Sequence, residues 1–507
     1  MAKNLILTCD AGTTGSKCSV FDPKGAALCV AKKEYGTSYP KPNWAEQDPD
    51  VLFQSIIEGV RELLTQVSPA DIACVGLSGT MNGCIATSED GRVLYPSIIH
   101  SDSRAWREVF EIEKVISRDD FYRMTGNRLD HHFTLPKILW MRRHLPDVYR
   151  RTRWWLNTKD YLYARLTGRV GYTDYSDASL TIALDLGKKR WAEELLTDLK
   201  LDPGNMPQIL KGSDTSGRVT REMAKLTGLL PGTPVSIGGG DGACAGRGAG
   251  LYKPGAGYCC IGSSAWVSQL TPEPLLDEKQ RIFNYLDMDG EINHSLGVVQ
   301  TAASAYDWAM GNLLSDGRKL TGADHSRIEN MARQVEPGAE GVMFLNTLMG
   351  ERTPYWDPNT KGCLVGFSLY HDQRHVARAV YEGVALSLNT VARIMAENGA
   401  PLDSMILTGG GAGSGLWPDI FASVFNIPTS VHYAPGEGTS LGAAMTAGVG
   451  IGIFRDYEEA AGIVRARSQH APNPAWADKY KKVYGIFSGI YDRMKPVFDG
   501  IAGEWPQ

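Results

Sequence analysis

The chain has 507 residues, with 52 Lys and Arg against 57 Asp and Glu and a net charge of −5. That length exceeds one ordinary hydrophobic core and fits two large lobes or three domains, while the near-balanced charge offers no field for nucleic acid or an anionic membrane, so the expected ligand is small. Nine cysteines without a C-x-x-C pair, two of them adjacent at Cys259-Cys260, read as buried thiols in a reducing compartment rather than a disulfide scaffold or zinc site. Met1-Ala2-Lys3-Asn4 leads into a strand-like run without an apolar signal segment, and no stretch reaches membrane-spanning length, so a cytoplasmic location is expected.

Residues 5–9 read as a strand, Asp10-Ala11-Gly12-Thr13-Thr14-Gly15-Ser16-Lys17 as a turn, and 18–22 as the returning strand. A structural hairpin needs only the glycines. Here backbone N–H groups around Gly12 can cup oxygens, Thr13 and Thr14 can donate, Lys17 adds positive charge, and Asp10 can hold Mg²⁺ directly or through water, which together predict a phosphate site. No Walker G-x-x-x-x-G-K-[ST] loop occurs.

A strand at 27–31 is followed by a helix around 51–67 opened by Asp48-Pro49-Asp50, and then by a buried strand at 71–77 that ends in Ser78-Gly79-Thr80-Met81-Asn82-Gly83. Residues 91–99 continue in strand and turn. The cluster His100-Ser101-Asp102-Ser103-Arg104 reads as a solvated loop with an internal Asp-Arg pair, Asp102 being equally suited to a hydroxylated ligand. Residues 119–145 are helical in pattern, interrupted at Thr125-Gly126-Asn127 and His131-His132-Phe133. No Cys, Asp or further His completes a metal set with those histidines at helical spacing, so no metal is expected there. The aromatic and polar runs at 154–162 and 172–179 read as lobe packing, since basic residues do not interleave as a base-stacking groove requires.

Near the midpoint, Pro234-Val235-Ser236-Ile237-Gly238-Gly239-Gly240-Asp241-Gly242-Ala243 reads as a buried strand that breaks into glycines and presents one carboxylate. Asp241 is a catalytic base at a strand tip or the cap of a helix beginning near Ala243, and its residues alone support both. Strand, hydroxyl turn and strand recur at 256–261, Gly262-Ser263-Ser264 and 265–269, so two related lobes are expected to pinch a nucleotide between them. Helices follow at 302–314, 326–335 and 373–398. A strand at 404–407 then enters Thr408-Gly409-Gly410-Gly411-Ala412-Gly413-Ser414-Gly415 ahead of a helix at 418–425, an arrangement suited to anions or to a flat ring on bare backbone. A small-residue helix at 435–444 closes the series.

Asp10-x-Gly12-Thr13-Thr14 with Lys17, Gly238-Gly239-Gly240-Asp241, Gly409-Gly410-Gly411 and Gly438-Thr439-Ser440-Leu441-Gly442-Ala443-Ala444 together resemble the FGGY carbohydrate kinases over nearly the whole chain. Within that family the xylulose kinases are most similar, through Trp44-Ala45-Glu46-Gln47-Asp48-Pro49, Pro136-Lys137-Ile138-Leu139-Trp140, Lys159-Asp160-Tyr161-Leu162, Asp174-Tyr175-Ser176-Asp177-Ala178 and Gly350-Glu351-Arg352-Thr353-Pro354. The resemblance implies an α/β protein of two ribonuclease H-like lobes of the actin and hexokinase type with a deep cleft: a sugar-binding lobe, 1–245, and an ATP-binding lobe, 246–507. It implies Asp241 as base for the sugar hydroxyl, Asp10 with Mg²⁺, and Gly12, Thr13, Thr14 and Lys17 at the transferred phosphoryl group. Gly262 and Ser263 would lie beside them and Gly409, Gly410 and Gly411 at the adenosine. Met81, Asn82, His100, Asp102, His132 and Asp241 would meet the sugar. Sugar and ATP are the expected partners, without nucleic acid or membrane, and a homodimer is allowed.

Two positions depart from the xylulose kinases, which resemble this chain with Met-His where it has Met81-Asn82 and Trp-Asn-Asp where it has His100-Ser101-Asp102. Both changes alter the hydrogen-bond pattern and shape of the pocket. The glycerol kinases have Arg-Glu at the first site and a tyrosine at the place of His132, so glycerol is not expected. Phosphoryl transfer needs mainly alignment, charge neutralisation and one late proton acceptor. Asp241 is therefore expected to be ionised, helped by Mg²⁺ and Lys17. Two other classes compete: a dinucleotide oxidoreductase, from G-x-G-x-x-A at 240–245, and an actin-like ATPase without a sugar.

Overall fold

The computed structural model describes residues 4–505; Met1, Ala2 and Lys3, which carry part of the N-terminal reading, lie outside the described residues. Two seven-stranded mixed sheets organise the chain, and they share one connectivity. In the first, Leu5–Ala11, Gly15–Phe21 and Ala27–Glu34 form an antiparallel meander. Ile72–Gly79 joins the other side of Leu5–Ala11 in parallel, and Pro234–Val235 joins it in turn. In the second, Ala256–Ile261, Ala265–Thr271 and Asn293–Val299 are the meander. Ser404–Thr408 and Thr429–His432 are its parallel additions.

Burial explains the strand sequences. Leu5–Ala11 is covered on both faces and is apolar almost throughout, whereas the edge strand Ala27–Glu34 alternates buried and exposed residues. Helix Pro49–Leu63 covers one face of the first sheet. Asp48 caps it by accepting from the Asp50 N–H at 2.9 Å, and Leu52, Phe53, Ile56, Val60 and Leu63 make its buried stripe.

The other face of the first sheet is covered from far along the chain. Helix Gly438–Gly450 puts Leu441, Ala444 and Met445 against Ile6, Phe21 and Cys74, and it crosses helix Asp241–Gly248 through bare backbone. A Cβ on Gly442 would sit 1.8 Å from the Cys244 carbonyl oxygen, and one on Gly248 1.8 Å from that of Gly438. Alanine inside a helix ordinarily gains up to about 1 kcal/mol over glycine, but a backbone atom cannot swing away from the added methyl. Gly442→Ala is therefore expected to destabilise by about 3 kcal/mol, the upper end for overpacking, read as a lower denaturant midpoint at unchanged slope.

The apolar run before Asp241 is strand only at Pro234–Val235 and Gly239–Gly240. Between them Gly238 takes φ +75°, where a Cβ would meet the Leu77 carbonyl oxygen at 2.0 Å. Helix Asp241–Gly248 starts at Asp241 itself, so the carboxylate is both strand-tip group and first-turn residue. The lobe division read after residue 245 falls within this helix, and the second sheet begins at Ala256. The small-residue helix is not the last, since Pro474–Phe487 and Ile490–Glu504 follow. All nine cysteines are free.

Candidate active site

The opening hairpin is shaped by bonds to its carbonyls. The Gly12 N–H donates to the Gly15 carbonyl at 3.0 Å, the Tyr35 hydroxyl donates to the Gly12 carbonyl, and Gln47 Nε2 donates to that of Thr13 at 2.7 Å. The Thr13 and Thr14 hydroxyls have no partner among the described residues. Lys17 reaches across to the second lobe, where its Nζ donates to the Gly436 carbonyl at 2.6 Å and lies 3.5 Å from the Glu437 carboxylate. Asp10, opposite Lys17 on the hairpin, is buried with Oδ1 unpartnered. Burial raises its pKa against the opposing pull of Lys17 and Ser78.

Asp241 lies close enough to Asp10 to feel its charge. Its Oδ1 accepts from the Gly242 N–H at 2.8 Å, and its side chain borders a small cavity of about 90 Å³ closed by Trp266, Thr408, Gly436 and Thr439. Burial, then the charge on Asp10, push its pKa up to about 7. Of the groups expected to help ionise it, Lys17 acts on Asp10 rather than on Asp241, where the bond from the Gly242 N–H alone opposes burial and the like charge. A carboxyl with that shift keeps its proton in the folded chain while the unfolded chain releases it near pH 4. Its contribution is thus favourable at low pH and is lost as pH rises towards 7, at about 1.4 kcal/mol per pH unit. Ligand-free Asp241→Asn should therefore match wild type near pH 4, become progressively more stable than it up to pH 7, and hold that margin above. Thermal melts of both proteins across that range check this.

On the second lobe a cleft of about 850 Å³ opens beside Gly262, Ser263, Gly410 and Gly411. The Gly262 and Ser263 carbonyls receive the first N–H groups of helix Ala303–Leu314, which fixes the second hairpin tip. Gly409 is outside the lining; at φ +80°, with a Cβ position 2.6 Å from the Ile261 carbonyl oxygen, it makes the turn that presents the next two glycines. The loop continues as a single 3₁₀ turn, Gly410–Gly413, rather than running straight into helix Trp417–Phe425. Tyr306, stacked on His325 with centroids 5.7 Å apart, and Trp417 supply flat apolar walls.

Around the residues expected to meet the sugar, Lys137 gathers three loops. Its buried ammonium donates to the carbonyls of Asn82 at 2.6 Å, Ile99 at 3.0 Å and His132 at 2.7 Å, and burial pushes it down to about 8. Met81, Asn82, His100 and His132 are thereby brought together. The Met81 thioether lies over Gly240, next to Asp241, with Sδ 2.5 Å from where a Cβ would stand. Asn82 has φ +62° and a buried, unpartnered Oδ1. His100 is pushed down to about 4 by burial and by Lys137 and Arg352, leaving a neutral imidazole able to donate and accept. His132 Nδ1 lies 2.5 Å from Asp130 Oδ1.

Asp102 does not join them. It is 1% exposed, and its oxygens are taken by the Ala45 N–H at 2.5 Å and by the Arg104 side chain at 2.6 to 2.9 Å. The Asp-Arg pair is internal, as expected, but buried rather than solvated: Arg104 also binds Glu46 at 2.7 Å and lies over the Trp44 ring. Asp102 thus offers no surface to a ligand.

Three features were not legible as site residues. Asp130 completes a close cluster with His131 and His132 that helical spacing could not reveal, because all three lie in a loop before helix Thr134–His144. Arg352, quoted only as part of a family pattern, arrives from the second lobe. Its charge is felt by His100 and His131, and its guanidinium has no hydrogen-bond partner among the described residues. Lys159 sits among Asp160, Asp174 and Asp177, with both its own and their side chains fully buried. The runs read as lobe packing therefore hold a charge cluster. The dinucleotide fingerprint fails, since its glycines fall in and just before helix Asp241–Gly248 and no acid stands at the expected distance, which Gly262 and Ser263 occupy.

The FGGY family of carbohydrate kinases is matched twice, by its N-terminal domain over residues 5–248 and its C-terminal domain over 257–451. The chain is 30% identical to the xylulose kinase of Bacillus subtilis (strain 168) over 496 residues, 97% of each chain. Among solved structures, ligand-bound xylulose kinase from Lactobacillus acidophilus superposes with a TM-score of 0.91 at 27% identity, covering 98% of this chain and 99% of that one. Gluconate kinase from Lactobacillus acidophilus superposes with 0.90 at 27%, covering 97% and 98%. Two sheets with one connectivity, a glycine-lined cleft and a buried carboxylate at the start of helix Asp241–Gly248 agree with those matches: the chain belongs to the FGGY family of carbohydrate kinases.

Proposed function

We propose that the chain transfers the terminal phosphoryl group of ATP to a hydroxyl of a small sugar, a ketopentose such as D-xylulose, with Asp241 as the base. The observation that carries this is that Asp10, on the opening hairpin, and Asp241 lie within reach of each other's charge, with Met81 packed beside Asp241 and a glycine-lined cleft of about 850 Å³ on the second lobe. In this reading adenosine lies on Gly410 and Gly411 between the aromatic walls. The phosphates meet the Thr13 and Thr14 hydroxyls and Lys17, which exchanges Gly436 for them. The unpartnered Oδ1 of Asp10, close to two further carboxylates at Asp241 and Glu437, fits a hydrated Mg²⁺. When bound, that ion neutralises phosphate charge. Asp241 accepts the hydroxyl proton late in the transfer, and closure of the lobes excludes water. The reading places the enzyme in the cytoplasm; among the described residues no helix is long and apolar enough to cross a membrane.

The departures at Asn82 and His100, together with the unpartnered Arg352, support a second candidate, a sugar acid such as gluconate, whose carboxylate a guanidinium would hold. The test is kcat/KM over D-xylulose, D-ribulose, L-xylulose, L-ribulose, fructose, gluconate and glycerol. A ketopentose in first place supports the main reading. Gluconate in first place replaces it by the second, and sugar-independent ADP release would favour an actin-like ATPase.

A further inference from the structure

We propose that Ser176 is a positioning residue for Asp241, holding the peptide in front of it through a buried polar chain that begins at Lys159. Lys159 Nζ lies 2.5 Å from Asp160 Oδ1, 2.9 Å from Asp174 Oδ1 and 3.3 Å from Asp177 Oδ2. The other oxygen of Asp174 accepts from the Ser176 N–H at 2.8 Å and from the Ser176 hydroxyl. That hydroxyl oxygen accepts the Gly240 N–H at 3.0 Å. Every side chain in the series is buried.

The direction of these bonds matters. A hydroxyl that gives its proton to a carboxylate is polarised and accepts more strongly, and linked bonds in a dry interior reinforce each other. Gly240 precedes the first helical residue, Asp241, and pairs with Gly79 at the end of strand Ile72–Gly79. It is thus gripped by a serine on one side and the Met81 thioether on the other. Lys159 anchors the far end and packs directly on the same strand, its N atom 3.0 Å from where a Cβ on Gly79 would be. The chain therefore references the position of Asp241 to the strand that also carries the sugar loop.

The inference rests on Asp241 being the base. Displacing a reacting group by about 1 Å can cost about 100-fold in rate without loss of binding, so Ser176→Ala in the full chain is expected to lower kcat about 10- to 100-fold with KM for sugar and ATP changed less than about threefold. Ser176→Thr, which keeps the hydroxyl, should retain most of the turnover. Amide exchange in a peptide spanning 237–243 should quicken in Ser176→Ala, while a peptide spanning 404–408 stays as in wild type. Unchanged kcat with unchanged exchange overturns the proposal, and so does an equal loss in Ser176→Thr. If wild type turns over no sugar, the reading of Asp241 fails and the exchange result alone decides whether Ser176 holds Gly240. Should Ser176→Ala not fold, Ser176→Cys, of similar size and a weak acceptor, is read in the same two ways.

Discussion

Asp241→Asn should lose about 10³- to 10⁴-fold in kcat while its KM for sugar moves little, the upper range for removal of a general base. The amide keeps the shape of the carboxyl, and its oxygen can still accept the Gly242 N–H that Asp241 Oδ1 accepts at 2.8 Å. What it loses is the capacity to take a proton. Because the carboxyl is destabilised by burial and by Asp10, the same substitution should raise the stability of the ligand-free protein at pH 8. Slower turnover together with a higher melting temperature distinguishes a strained functional group from a structural one, whose removal lowers both. Steady-state rates and melts on one preparation give both numbers.

Lys159→Met should be among the most damaging single changes to the fold. It leaves three carboxylates, Asp160, Asp174 and Asp177, facing each other without a cation. Breaking a buried ion pair from one side costs about 3–5 kcal/mol, a large part of a total stability of about 5–15 kcal/mol. Asp177 already limits the damage: burial, with the charges on Asp160 and Asp174, raises it well above the ordinary carboxylate range even with Lys159 present. In the variant Asp160 and Asp177, both already raised, should be raised further. Carboxyls raised in the folded state favour folding at low pH and cease to do so as pH rises, so the deficit of Lys159→Met should shrink between pH 8 and pH 5. Urea midpoints across that range measure it; a deficit independent of pH would mean that lost packing, rather than exposed charge, is the cause.

The parts of the molecule that could be read from residues alone are those written locally. The opening hairpin, the second hairpin at Gly262 and the strand entering Gly409 each carry their strand pattern and turn chemistry within about a dozen residues, and the latter two lead into the cleft lining at Gly262 and Gly410. Asp102 was misplaced because nothing in His100-Ser101-Asp102-Ser103-Arg104 shows that Ala45, Glu46 and Trp44 close over it. The same holds for Lys137, which joins loops 55 and 38 residues back along the chain to one only 5 residues back. Lys159 and its carboxylates come from two helices and a strand end, and only the fold shows them to be one cluster. Polar residues adjacent to a glycine turn announce themselves, whereas polar residues satisfied by distant partners look like ordinary surface.

The central claim is that a sugar completes a site in which Asp241 faces the terminal phosphate of ATP. The most direct measurement is the rate of ADP formation from Mg·ATP with and without sugar. The account predicts that at least one ketose or sugar acid raises that rate by about 100-fold or more, since a bound hydroxyl is needed to close and use the site. ADP formation that is the same with and without every sugar tested would contradict it.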